Sequence, residues 1–135
     1  MNRAMGHTSI EYAEGGYGWN PYPGCKHGAD VCPVSPHCWA RGMAHRYKRD
    51  FKPHLIPELL LAPLSVKKPS TILVNFMGDL AGNWVDPEMQ VPSQQSVISP
   101  DMLNRKLRDI IFDVVWDCPQ HRFLFLTKNP EGYKR

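Results

Sequence analysis

Two short apolar runs, TILVNF (71–76) and RFLFLT (122–127), bracket the strongest helical pattern in the chain. This arrangement constrains the fold more than any other feature. Each run is continuous and rich in β-branched or aromatic residues, as expected of a strand buried on both faces. Between them Leu103, Leu107, Ile110, Ile111, Val114 and Val115 recur at helical spacing. Ser99 and Pro100 offer an N-cap and a first-turn proline, and Cys118-Pro119 stops the pattern near Asp117. A strand, a helix and a strand in this order predict parallel strands joined by a right-handed crossover.

The alternation extends in both directions. YGWNPY (17–22) predicts a short strand that Pro21 ends. From Cys38 to about Asp50, Trp39, Met43 and Tyr47 recur at four-residue steps and predict an apolar helical stripe. Gly42 weakens that helix by roughly 1 kcal/mol relative to alanine. Pro53, Pro57, Pro63 and Pro69 break up the next stretch and leave room for a short helix over 58–62. Asn129-Pro130-Glu131 predicts the start of another helix. Residues 1–16 read as an irregular lead-in, and 77–97 as a long loop of the kind that tends to carry function. The fold class is therefore α/β, in one domain spanning 1–135. In such folds ligands bind at the carboxyl ends of the strands. The cysteine loop (23–38), the 77–79 segment and the Thr127-Lys128 turn all follow strands, so all three are expected on one edge.

Composition narrows the class. With 135 residues, 42% hydrophobic and 21% charged, the chain is expected to be soluble and globular with a modest core. A net charge of +3 permits an anionic partner without requiring one. No apolar run approaches a membrane span, and the first residues lack the apolar centre of a secretory signal, which places the chain in the cytoplasm.

Cysteine usage carries the chemistry. Of the four cysteines, Cys25, Cys32 and Cys38 share one Gly/Pro-rich loop, while Cys118 stands alone. A cluster of this kind in a reducing compartment is more often metal-binding or catalytic than disulfide-bonded. Three thiolates on an iron–sulfur cubane leave one iron open to a small chelating molecule. Zinc held by three cysteines and a histidine is a second reading, with His27 and His37 at hand. Loop thiols without a ligand are a third.

Four segments, GWNPYPGC (18–25), CWARGMAHR (38–46), ILVNFMGDL (72–80) and CPQHRFLFLTKNPE (118–131), resemble a phage-associated, three-Cys-motif radical-SAM-like family. The match covers most of the chain, in the same order. The resemblance implies the N-terminal half of a partial (β/α) barrel with parallel strands. Cys25, Cys32 and Cys38 would hold a 4Fe-4S cluster, and S-adenosylmethionine would chelate its open iron. Reductive cleavage would give a 5′-deoxyadenosyl radical that abstracts hydrogen from a substrate. An electron donor and a C-terminal half or second chain completing the barrel are the implied partners. A phage or prophage origin is implied too. A more distant similarity, to spore photoproduct lyase, hints at a nucleic-acid substrate. Between Cys32 and Cys38 this chain has five residues where the family has two.

Asp79 follows a strand where such enzymes hold the amino group of S-adenosylmethionine, and its bland alternative is a loop-capping carboxylate. Asn75, read as part of the strand, either orients the same loop or is a buried amide bonding backbone, and the second is the simpler reading. Thr127 and Lys128 end the last strand, where Lys128 meets either a carboxylate or phosphate, or solvent. Trp19 and Trp39 are expected to pack the cysteine loop, and Arg41, Arg46, Lys48 and Arg49 to form a solvated helix face. His45 and His121 are structural candidates, and Cys118 a thiol outside the cluster.

Overall fold

The computed structural model describes residues 5–8, 15–27, 32, 37–49, 51–86, 88–91 and 105–134. Four strands form one open sheet: β1 (Gly6–His7), β2 (Tyr17–Trp19), β3 (Thr71–Val74) and β4 (Arg122–Phe125), in that spatial order. β2, β3 and β4 are parallel, as the alternation predicts. The lead-in is not wholly irregular, because β1 pairs antiparallel with β2 through Gly6–Gly18 and His7–Tyr17. The sheet does not close into a barrel.

Register decides which side chains share a face. Tyr17, Ile72 and Phe123 stand in one row, and Trp19, Val74 and Phe125 in another. Both rows face helix α2 (Leu107–Asp117), whose Leu107, Ile110, Ile111 and Val114 complete a core cluster with Trp19, Ile72 and Val74. The intervening row, Gly6, Gly18, Leu73 and Leu124, points to the other face. There Gly6, Gly18 and Leu73 border an open cleft of about 1380 Å³ that Trp39, Met43 and Ala44 also line.

Three expected elements are shifted. α2 begins at Leu107, because Lys106 is extended and bridged to Gln90, where the chain cannot be helical. Ser99, Pro100 and Leu103 lie outside the described residues. The short helix over 58–62 is instead two 3-10 turns, Pro57–Leu59 and Ala62–Ser65. Pro57 starts the first turn and Pro63 is the second residue of the other, where it has no N–H with which to continue the first. A third 3-10 turn, Pro130–Lys134, occupies the predicted helix start.

Helix α1 (Trp39–Arg46) forms within the expected stretch, with Cys38 at its N-cap, but it stops short of Asp50, with Lys48 in a left-handed conformation (φ 54°), and its buried face is different. Ala40 and Ala44 are buried, while Trp39 and Tyr47 are 57% and 58% exposed. Alanine lets a helix approach its neighbour closely, which turns the larger rings outward. Trp39 therefore does not pack into the core, whereas Trp19 is fully buried and donates Nε1–H to the Leu59 carbonyl at 2.6 Å.

Candidate cofactor site at the carboxyl edge of the sheet

Where β2 and β3 end, two asparagines tie their loops together. Asn75 follows β3 with φ 55°, a left-handed conformation that asparagine tolerates better than most residues. Its backbone N–H donates to the Trp19 carbonyl at 2.7 Å, and its Oδ1 accepts from the Tyr22 N–H at 3.1 Å. Asn20 reciprocates by accepting from the Met77 N–H at 2.9 Å. Asn75 is a buried amide whose oxygen and backbone N–H both bond main chain.

Just beyond, Gly24 and Gly78 form an isolated parallel bridge, with the Gly24 N–H donating to the Met77 carbonyl at 2.9 Å. Gly24 has φ 103°, and a Cβ there would press within 2.5 Å of the Lys52–Pro53 peptide. A Cβ on Gly78 would lie 2.5 Å from the Gly24 carbonyl oxygen. Only glycine permits three backbones to meet at the root of the cysteine loop.

Asp79 is the centre of the edge. It is 3% exposed and accepts four hydrogen bonds from three segments. Oδ1 takes the Ala81 N–H at 3.0 Å and the Thr127 hydroxyl at 2.7 Å. Oδ2 takes the His27 Nε2–H at 2.8 Å and the Lys128 backbone N–H at 2.9 Å. Four donors fill the four lone-pair positions of a carboxylate. Asp79 thus binds the cysteine loop, the turn after β3 and the turn after β4 into one knot. Asn129 reinforces it, donating its N–H to Thr127 Oγ1 at 2.8 Å and its side-chain amide to the Ala81 carbonyl at 2.9 Å. The three segments expected on one edge do meet there. The carboxylate caps loops, and the Lys128 side chain is exposed while its backbone joins the knot.

His27 is the residue whose role the sequence hides. It is 8% exposed, held by Asp79 on one side and by an edge contact to the Trp84 ring at 4.7 Å. Fifty-two residues separate it from Asp79, and nothing local in the sequence connects them.

The three loop cysteines are free thiols. Cys25 and Cys38 are half-buried and Cys32 is buried. Burial pushes the Cys25 thiol up, the His27 backbone N–H at 3.4 Å pulls it down, and the charges of Asp79, Cys38 and Cys32 push it up again. Neutral thiols bind metals poorly, so a cationic guest must drive their ionisation. Among the described residues no three His, Cys, Asp or Glu side chains are already gathered closely enough to hold an ion. Cys118 is buried at the C-cap of α2, outside this edge, and its thiol is raised by burial, with Asp117 adding and Lys67 opposing. His121 is structural: its Nε2 bonds the Val66 carbonyl at 2.9 Å and its Nδ1 accepts the Ser70 N–H at 3.2 Å. His45 is exposed, as are Arg41, Arg46, Lys48 and Arg49. Among the described residues no helix is long and apolar enough to cross a membrane.

A family model described as "Protein of unknown function (DUF5131)" matches residues 7–135, nearly the whole chain, and the chain belongs to that family. No curated protein and no solved structure matches it.

Proposed function

We propose that this member of the DUF5131 family is a radical-SAM-like iron–sulfur protein, with Cys25, Cys32 and Cys38 as ligands of a 4Fe-4S cluster. The carrying observation is the Asp79 knot, which fixes the root of the cysteine loop against the carboxyl ends of β3 and β4. That edge is where a parallel sheet offers its ligand site. The donor set suits the group in kind: three unbridged thiols, one of them at a helix N-cap. No ready cage exists among the described residues, so the loop must close around its cluster rather than receive it. When bound, such a cluster supplies one electron for reductive cleavage of S-adenosylmethionine. The protein's part is positional. Asp79 holds the loop through His27, Asn75 sets the turn after β3, and Thr127 locks Asp79. The exposed Lys128 ammonium stands ready for a carboxylate at the same edge.

Zinc remains a specific competitor because of His27. It lies two residues from Cys25, and a carboxylate on one ring nitrogen is the usual way of orienting a metal-bound imidazole. Anaerobic purification with metal analysis separates the two. A brown protein with roughly four irons per chain is expected, and a colourless one with about one zinc would sink the cluster reading. Cys32→Ala is expected to lose most of the iron.

The open sheet also supports a completing partner. β4 lies at the sheet edge, and beside it Leu126 is exposed, Phe112 stacks on Phe125, and Trp116 is 85% exposed. A further strand–helix unit, from this polypeptide or a second chain, would cover them as the next part of a partial barrel. Hydrogen exchange reads this directly: the β4 amides that point away from β3 are expected to gain protection when the partner is present.

A further inference from the structure

The cleft on the open face of the sheet has an unusual floor. Gly6 and Gly18 are paired across β1 and β2, and Leu73 continues the row on β3. Neither glycine is required by the backbone, since neither has a left-handed φ. Nor is either required by packing. A Cβ on Gly6 would meet nothing within 4 Å, and one on Gly18 only the Asn20 side-chain nitrogen at 3.5 Å. Glycine in a strand weakens it, and its use here leaves a flat strip of bare backbone open to whatever lies in the cleft.

The walls have a consistent character. Trp39, Phe51 and Phe76 bring aromatic rings to the cleft. Arg49 and Lys52 bring basic side chains, and His7 and His54 add imidazole rings. Among the described lining residues there is no aspartate or glutamate. A planar aromatic ligand carrying negative charge fits this lining. The cleft also ends at Gly24, one residue before Cys25, so its occupant would lie beside the cysteine loop.

We propose that this glycine-floored, aromatic-walled cleft binds a nucleotide, with the base on the bare strip and the phosphate at Arg49 and Lys52. Bases stack on aromatic side chains without needing a particular sequence, and phosphates pair with basic ones. The shared chemistry covers a free nucleotide and a nucleotide within a strand. None of the three loop cysteines lines the cleft. The inference therefore stands or falls separately from the cluster.

The test is fluorescence anisotropy of the full chain with a labelled oligothymidylate of about 12 nucleotides. Saturable binding is expected. The pair Arg49→Gln and Lys52→Gln should weaken it about tenfold or more, with a shallower salt dependence. Lys67→Gln with Lys68→Gln removes equal charge just before β3, at the opposite edge, and should leave binding within about twofold. Gly18→Val should fill the strip and abolish binding while keeping the melting temperature. If valine unfolds the chain, Gly18→Ala takes its place with a smaller expected loss of binding. Unlabelled thymidine monophosphate competing as well as the strand would identify a free nucleotide, and a strong preference for the strand would identify nucleic acid. Four results would overturn the proposal: no saturable binding, equal loss from both charge pairs, wild-type binding in a folded Gly18 variant, or displacement by S-adenosylmethionine, which has no phosphate.

Discussion

The two faces of one small sheet follow opposite rules. On the α2 side every registered position from β2 to β4 is large: Tyr17, Ile72 and Phe123, then Trp19, Val74 and Phe125. On the other side the same strands present Gly18, Leu73 and Leu124, with Gly6 beyond. Because side chains alternate along a strand, a three- or four-residue element contributes to both faces at once. The chain uses that alternation to separate stability from access. One face is filled to make the core, and the other is left low to make a cleft.

That contrast can be broken by experiment. The largest effect is expected from Ile111→Ala or Ile72→Ala, both fully buried on the packed face, at about 2–5 kcal/mol each. Chemical denaturation measures it. Leu73→Ala, one residue further along β3, removes a side chain that is just as buried at 1% exposed, and should cost about 2–5 kcal/mol as well. The distinction between the faces therefore rests on Gly6 and Gly18, where an added Cβ has room.

Asp79→Ala probes the edge that joins them. It strands four donors, and a cost of about 3 kcal/mol is expected, since each buried unpaired group costs about 1–3 kcal/mol and the group relaxes together. A melting shift confined to a degree or two would show that the knot is decorative.

A smaller effect comes from pH. Burial and the charge of Asp79 push Tyr133 up to about 12, with Arg108 opposing. The fold therefore keeps this phenol neutral while the unfolded chain ionises it near 10.0. Its contribution is fully present below pH 10 and is lost as pH rises from 10 to 12. Tyr133→Phe should flatten the alkaline limb of a stability profile over that window. The smallest effect is expected at Gly18→Ala, neutral or stabilising by up to about 1 kcal/mol through reduced freedom of the unfolded chain. A loss there would mean that the glycine serves packing and not the cleft.

The sequence exposes the parallel α/β order because its signals are local. The runs at 71–76 and 122–127 and the spacing of Ile110, Ile111 and Val114 need no knowledge of the rest of the chain. Topology then extends the reading to the meeting of three loops on one edge. What stays hidden is set at long range. His27 and Asp79 are neighbours only after folding, and the antiparallel β1 is too short to leave a pattern. The stripe Trp39, Met43 and Tyr47 misleads for a related reason. Helical spacing identifies a face but cannot say whether the core prefers it to the smaller face of Ala40 and Ala44.

The meeting of Gly24, Gly78 and the Lys52–Pro53 peptide has a consequence for how this family can vary. This part of the loop's anchor is built from main chain, so its position does not depend on the length of the loop that leaves it. Insertions between Cys32 and Cys38 can accumulate without moving Cys25. Substitution of either glycine, by contrast, displaces the whole edge at once. Natural variation is then expected to concentrate in the span of the loop and to stop abruptly at its root.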